Sequence, residues 1–171
     1  MAAIERVDVE ELLADSVEAW RASAAVRGVE LRMLWSGAPA LVVGERLRLA
    51  QATGNLIANA IEHGGGTVEV RGGVEQSAVR IEVLDGGPGL GAPVAELIRM
   101  GGARGGRCGR LGDAGRARGH GLAIAGAVAV AHSGRLASAP SERGARIVLE
   151  LPVAAEAAGP ARCGTSPRGQ T

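Results

Sequence analysis

Apolar side chains recur every three or four residues between Asp8 and Arg27, at Val9, Leu12, Leu13, Val17, Trp20 and Ala24. That spacing predicts an amphipathic helix. Asp8 suits the N-cap, with Glu11 three residues later in a capping-box pattern, and Gly28 suits the stop. The period then changes to two: Val29, Leu31 and Met33 alternate with Glu30 and Arg32, as in a half-buried strand. Gly37 and Pro39 interrupt it, and Leu41 to Val43 is a short apolar stretch. A helical period returns from Glu45 to His63, with Leu47, Ala50, Gly54, Ile57 and Ile61 in one stripe, and Gly64 to Gly66 end it. Two alternating strands follow, Thr67 to Arg71 and Ala78 to Leu84, with a hairpin expected around Gly72 and Gly73.

Further on, Pro93 to Met100 reads as a short helix. Residues 101–119 are rich in Gly and Arg with almost no apolar side chain, and are expected to form a mobile loop. Leu122 to Ala131 predicts a buried, Ala-rich helix ended by Ser133-Gly134. Arg135 to Ser138 and Arg146 to Leu151 predict a last hairpin. Beyond Pro152 the composition turns to Ala, Gly, Pro, Arg and Ser, the pattern of a disordered tail. Hairpin-paired strands with helices arriving singly imply a two-layer α/β (α+β) sandwich, a mixed sheet with helices on one face.

Composition narrows the classes. The 171 residues suit one domain plus a tail, and 46 % hydrophobic with 22 % charged residues suits a globular protein. All 19 basic residues are Arg, and the net charge is only +1, which argues against a nucleic-acid partner. Trp20 and Trp35 are the sole aromatic side chains, so base-stacking platforms are lacking. Cys108 and Cys163 make neither a disulfide framework nor a zinc spacing and read as incidental thiols. No apolar leader is visible, and the longest apolar run, Leu122 to Ala131, is too short for a membrane segment. A cytoplasmic location is expected.

Three stretches carry candidate chemistry. Asn55, Asn59 and His63 are spaced by four, so each is rotated only about 40° from the last on one helix. Read alone, they form either a solvated face with incidental amides or an oxygen ligand set for a hard cation such as Mg²⁺. Asp85-Gly86-Gly87-Pro88-Gly89 follows a strand directly. It is either an ordinary Asp-Gly turn or a strand-end carboxylate that accepts from an exocyclic amine, with glycines admitting a ligand. Gly119-His120-Gly121-Leu122 is expected to open the Ala-rich helix, where backbone N–H groups suit phosphate. A Walker A loop is impossible without Lys, and the third glycine of a Rossmann fingerprint is missing.

In order and context these stretches resemble the boxes of the catalytic, ATP-binding domain of sensor histidine kinases, within the gyrase B, chaperone, kinase and mismatch-repair ATPase superfamily. Gln51 to His63 is similar to the N box, Asp85 to Gly89 to the G1 box, and Gly119 to Ile124 to the G2 box. His132-Ser-Gly-Arg-Leu136 and Leu149-Glu-Leu-Pro152 resemble the stretches that follow. The resemblance implies a Bergerat-type ATP-binding fold over residues 1–153, with an ATP lid at 101–119 and a tail at 154–171. It implies ATP and Mg²⁺ as ligands, with Asn59 on the metal and Asn55 beside the phosphates. His63 would lie near the nucleotide and Asp85 on the adenine amino group. Gly87 and Gly89 would shape the base pocket, and Gly119, His120, Gly121 and Leu122 would bind phosphate.

Some positions depart from that pattern. An amide stands at Asn55 where hydrolysing members carry Glu; it cannot take a proton from water, which favours transfer to a protein. Glu62 replaces a frequent Lys, and Ala145 a frequent Thr beside adenine. Arg104, Arg107, Arg110, Arg116 and Arg118 in the expected lid would either meet phosphate or keep the loop soluble. His63, His120 and His132 lie in or beside the boxes, and His132 reads as a structural residue at a helix end. None suits a phospho-acceptor. The expected function is therefore ATP–Mg²⁺ positioning for transfer to a His on a separate dimerisation domain or chain, with a response regulator reached indirectly. An anti-sigma-factor-like serine kinase and a catalytically silent ATP-binding scaffold are the alternatives.

Overall fold

The computed structural model describes residues 3–102 and 114–155. Four helices and seven strands lie along them. Strand β1 (Glu5–Asp8) leads into α1 (Val9–Val26), followed by β2 (Glu30–Ser36), β3 (Leu41–Gly44) and α2 (Arg46–His63). Then come β4 (Thr67–Glu75), β5 (Ala78–Leu84), α3 (Val94–Gly102), α4 (Ala114–Ala131), β6 (Arg135–Ser138) and β7 (Arg146–Pro152). The main sheet has the order β2-β4-β5-β7-β6, parallel between β2 and β4 and antiparallel elsewhere; β1 and β3 form a separate antiparallel pair. This is the expected mixed sheet with a helical layer.

The helices pack where the pattern placed them. The Asp8 carboxylate accepts the Glu11 N–H at 3.2 Å, closing the start of α1. Val68, Val70, Val79, Ile81, Val83, Ile147 and Leu149 supply one face of the sheet, and Leu12, Leu13, Leu56, Ile57 and Leu122 meet it from α1, α2 and α4. With two aromatic residues in the chain, this core is aliphatic almost throughout. Helix α2 is the central helix. It is buried from Leu49 to Ile61 on several sides, whereas Leu47, expected in its apolar stripe, is 77 % exposed. Between α1 and α2 the Ser16 and Thr53 hydroxyls share a buried hydrogen bond at 3.0 Å.

Three expectations need correction. The hairpin turn lies at Gln76-Ser77, not at Gly72-Gly73: β4 runs on to Glu75, which pairs with Ala78. Gly72 is a glycine for another reason, since a Cβ there would overlap the Trp35 ring, and would lie 2.8 Å from Leu13. Second, α4 starts at Ala114, well before Leu122, and α3 runs to Gly102. The lid expected over 101–119 is thus helical at both ends; residues 103–113, with Arg104, Arg107, Cys108 and Arg110, lie outside the described residues. Third, β1 had no counterpart in the pattern. The expected tail, with Cys163, lies outside the described residues from 156 onward. Ala154 itself is tied in, its N–H bonded to Leu41 O at 2.7 Å. Among the described residues, no helix is long and apolar enough to cross a membrane.

Candidate nucleotide site

Asp85 continues the β5–β7 ladder by one step, its N–H bonded to Ala145 O at 3.0 Å. The backbone therefore sets its position. Its Oδ1 accepts two N–H groups, from Gly87 at 2.9 Å and from Ala145 at 3.1 Å. No hydrogen bond to Oδ2 occurs among the described residues. Two glycines make room for Asp85, and a third lets the turn approach α2. A Cβ at Gly64, the residue after α2, would crowd Asp85 Cβ at 2.6 Å. One at Gly144 would overlap the Asp85 carbonyl, and Gly144 also has φ +67°, a backbone that other residues adopt at a cost. At Gly87 a Cβ would meet the His63 carbonyl at 2.5 Å. Gly89 holds φ +83°, and a Cβ there would lie 3.3 Å from Gly144 O.

Helix α2 connects this turn to the other stretches. His63 is half-buried at its last position, with Nε2 3.9 Å from the Glu62 carboxylate. One turn back, Asn59 is only 9 % exposed, and another turn back Asn55 is half-buried. Neither is on a solvated face. The Asn55 amide nitrogen is buried and has no hydrogen-bond partner among the described residues. An orphaned buried donor costs roughly 1–3 kcal/mol, so it marks a place that an acceptor from outside would complete. A Cβ at Gly121 would sit 3.6 Å from Asn55 Cβ, so α4 lies directly against α2 here. The end of α2 touches the Asp85 turn and its middle touches Gly121: one helix gathers all three stretches.

The third stretch differs from its expected geometry. Because α4 begins at Ala114, Gly119, His120 and Gly121 lie inside a helix rather than at its N-terminus. His120 is exposed, whereas Leu122 is fully buried, so the Leu122 side chain serves the core. Beside the Asp85 turn opens a cleft of about 450 Å³, walled by Leu90, Ala92 and Pro93 on one side and Ser138, Gly144 and Ala145 on the other. That lies within the usual range of ligand pockets, roughly 300–1,000 Å³. Gly64 and Gly144 escaped the sequence reading as site residues; Ala145 was expected beside adenine, but not as an N–H donor to Asp85. Only a sheet register pairing Asp85 with Ala145 could have revealed Gly144 and that donor.

A mixed sheet under three helices, with a pinned carboxylate at one strand end and two amides on the middle helix, makes this an α/β sandwich with a candidate ligand site on one edge. The profile of the histidine kinase-, DNA gyrase B- and HSP90-like ATPase family matches residues 44–155, and the chain belongs to that family. It is 34 % identical over 122 residues to the probable sensor histidine kinase TcrY of Mycobacterium tuberculosis, a match covering 67 % of this chain and 24 % of that protein. The chain thus spans about a quarter of this curated relative's length. Among solved structures it is similar to full-length ShkA in complex with AMPPNP, with 26 % identity and a TM-score of 0.74, covering 92 % of this chain and 33 % of that one. The ATP-binding domain of PrrB from Mycobacterium tuberculosis is 25 % identical with a TM-score of 0.68, covering 89 % of this chain and 98 % of that one.

Proposed function

We propose that this domain holds ATP with Mg²⁺ and presents the γ-phosphoryl to a histidine on a separate dimerisation domain or chain, as in two-component signalling. The observation that carries the proposal is Asn55, whose buried amide nitrogen lacks a partner among the described residues and lies on the helix face that packs against Gly121. A phosphate oxygen would complete it. An amide at that position donates but takes no proton, so no general base for water stands there, and transfer to a protein nucleophile is favoured over hydrolysis.

The remaining residues fit the same ligand. Asp85 is held by two backbone donors through Oδ1, which leaves Oδ2 as an acceptor for the adenine amino group. Gly87 and Gly89 keep the base pocket open. The Asn59 carboxamide oxygen would hold Mg²⁺, which when bound supplies charge neutralisation on the polyphosphate. Among the described residues no group of three or more His, Cys, Asp and Glu could hold a metal. A single amide ligand suits Mg²⁺, which draws most of its shell from phosphate and water. Gly119, His120 and Gly121 would flank the phosphates, with Leu122 anchoring them, and His63 would close the site at the end of α2. Catalysis of this kind consists of positioning and charge stabilisation, because phosphoryl transfer asks little covalent chemistry of the protein.

Calorimetry with ATP and Mg²⁺ tests binding, and incubation with a histidine-bearing dimerisation domain tests transfer. The expected product is an acid-labile phosphoprotein. An acid-stable product would point instead to a serine kinase of the anti-sigma type. Asn59→Ala should abolish transfer while the domain stays folded. Binding without transfer by the unaltered chain to any supplied acceptor would mark a silent scaffold, and no binding would end the proposal.

A further inference from the structure

We infer that His132 is a positioning residue: its imidazole sets the lengthwise register of α4 against α2 and so places Gly121 on Asn55. This rests on the nucleotide reading for its consequence, though not for its geometry. His132 follows the last turn of α4. Its Nδ1 lies 2.8 Å from Val128 O, and its Nε2 lies 3.1 Å from the Glu45 backbone N–H, just before α2. A carbonyl can only accept and an N–H can only donate, so the ring is the neutral tautomer with the proton on Nδ1. The contact joins two helix ends. Glu45 is the N-cap of α2 and makes no side-chain cap bond of its own. Gly44 is shaped for the same ring, since a Cβ there would overlap His132 Cδ2.

The two helices run antiparallel, and they meet at two levels. Glu45 meets His132 at one level, and Asn55 meets Gly121 at the other. The levels are ten residues apart on α2 and eleven on α4, about 15 and 16.5 Å at the helical rise of about 1.5 Å per residue. The small side chains along α4, chiefly Ala and Gly, offer few ridges to resist sliding. The imidazole is a directional tie at the far end. Without it, α4 is free to shift along α2, and the amide of Asn55 loses its fixed relation to the Gly119–Gly121 segment.

Two conservative variants separate this role from mere packing. Gln at 132 carries its amide oxygen near the Nε2 position and keeps an acceptor for Glu45 N–H. Asn reaches only the Nδ1 position, so it keeps the donor to Val128 O and loses the tie. ATP–Mg²⁺ affinity is measured by calorimetry, and backbone amide exchange by mass spectrometry over residues 44–49 and 120–126. The expected result for His132→Asn is affinity roughly tenfold weaker, the measure of one lost hydrogen bond, with faster exchange in both segments. His132→Gln should stay within about threefold of the unaltered chain, with slow exchange. Equal affinity and exchange in the two variants overturn the inference. Should the unaltered chain bind no ATP, the kinase reading falls, while the exchange contrast between Asn and Gln still decides the register.

Discussion

Gly144 and Asp85 set the tolerance of the site at the scale of single residues. Gly144 combines φ +67° with a carbonyl where its Cβ would be. Gly144→Ala therefore incurs left-handed backbone strain of about 1–2 kcal/mol and also pushes Asp85 out of line. The expected outcome is a lower midpoint of denaturation together with weaker ATP binding, read by urea unfolding and calorimetry on the same protein. Asp85→Asn should behave differently. The amide can still accept from Gly87 and Ala145 through its oxygen, but it then turns a donor outward where the carboxylate had an acceptor. Stability should change little while ATP affinity falls by tenfold or more, about 1.4 kcal/mol. Equal losses of affinity and stability in Asp85→Asn would show that the carboxylate is a structural group.

Helix α2 carries the argument at the level of elements, because it is at once the middle of the helical layer and the support of Asn55, Asn59 and His63. Leu56 is fully buried beneath it. Leu56→Ala leaves a cavity in a close-packed, almost wholly aliphatic core, so a loss of roughly 2–5 kcal/mol is expected in chemical denaturation. This helix was legible in the sequence, since its period and glycine stop are strong local signals. So were the two sheet strands that lead into Asp85. What was not legible has a physical cause in each case. Gly72-Gly73 looks like a turn until the Trp35 ring and Ser36 are seen to occupy the space of the two missing side chains. The early turns of α4 contain Gly and Arg with no apolar stripe, so nothing local marks them as helix. The ties from His132 to Glu45 and from Ala145 to Asp85 join residues 87 and 60 positions apart and leave no periodic trace.

For the molecule as a whole, the sheet face opposite the helices is a lattice of opposite charges. Glu82 is only 6 % exposed, bound by Arg146 at 2.9 Å and Arg80 at 2.7 Å; Arg80 reaches Glu75 and Glu150, and Glu150 meets Arg135. Burial pushes the Glu82 carboxyl up, but the hydrogen bonds and charges of Arg146 and Arg80 outweigh it and hold it below its ordinary value near 4.5. The Arg135 hydrogen bond, against a smaller opposing effect of burial, holds Glu150 below that value as well. A carboxyl depressed in the folded state adds stability that is complete above its ordinary value and is lost as pH falls through the depressed one. Unfolding free energy should therefore be level near neutrality and decline below about pH 4.5. Glu82→Gln should cost roughly 2–3 kcal/mol at neutral pH and make the acid decline shallower, as followed by denaturation across a pH series.

The sheet order has a consequence for biosynthesis. Strand β7 is the last sheet strand to leave the ribosome, yet it lies between β5 and β6 and supplies the partner for Asp85. Until residues near 152 emerge, β5 presents a bare edge and the carboxylate has no Ala145 to grip it. A nascent chain halted before that point exposes an unpaired hydrophobic strand, the kind of surface that recruits chaperones or aggregates. The grip on Asp85 is thus completed in a single late step, with the closing strand.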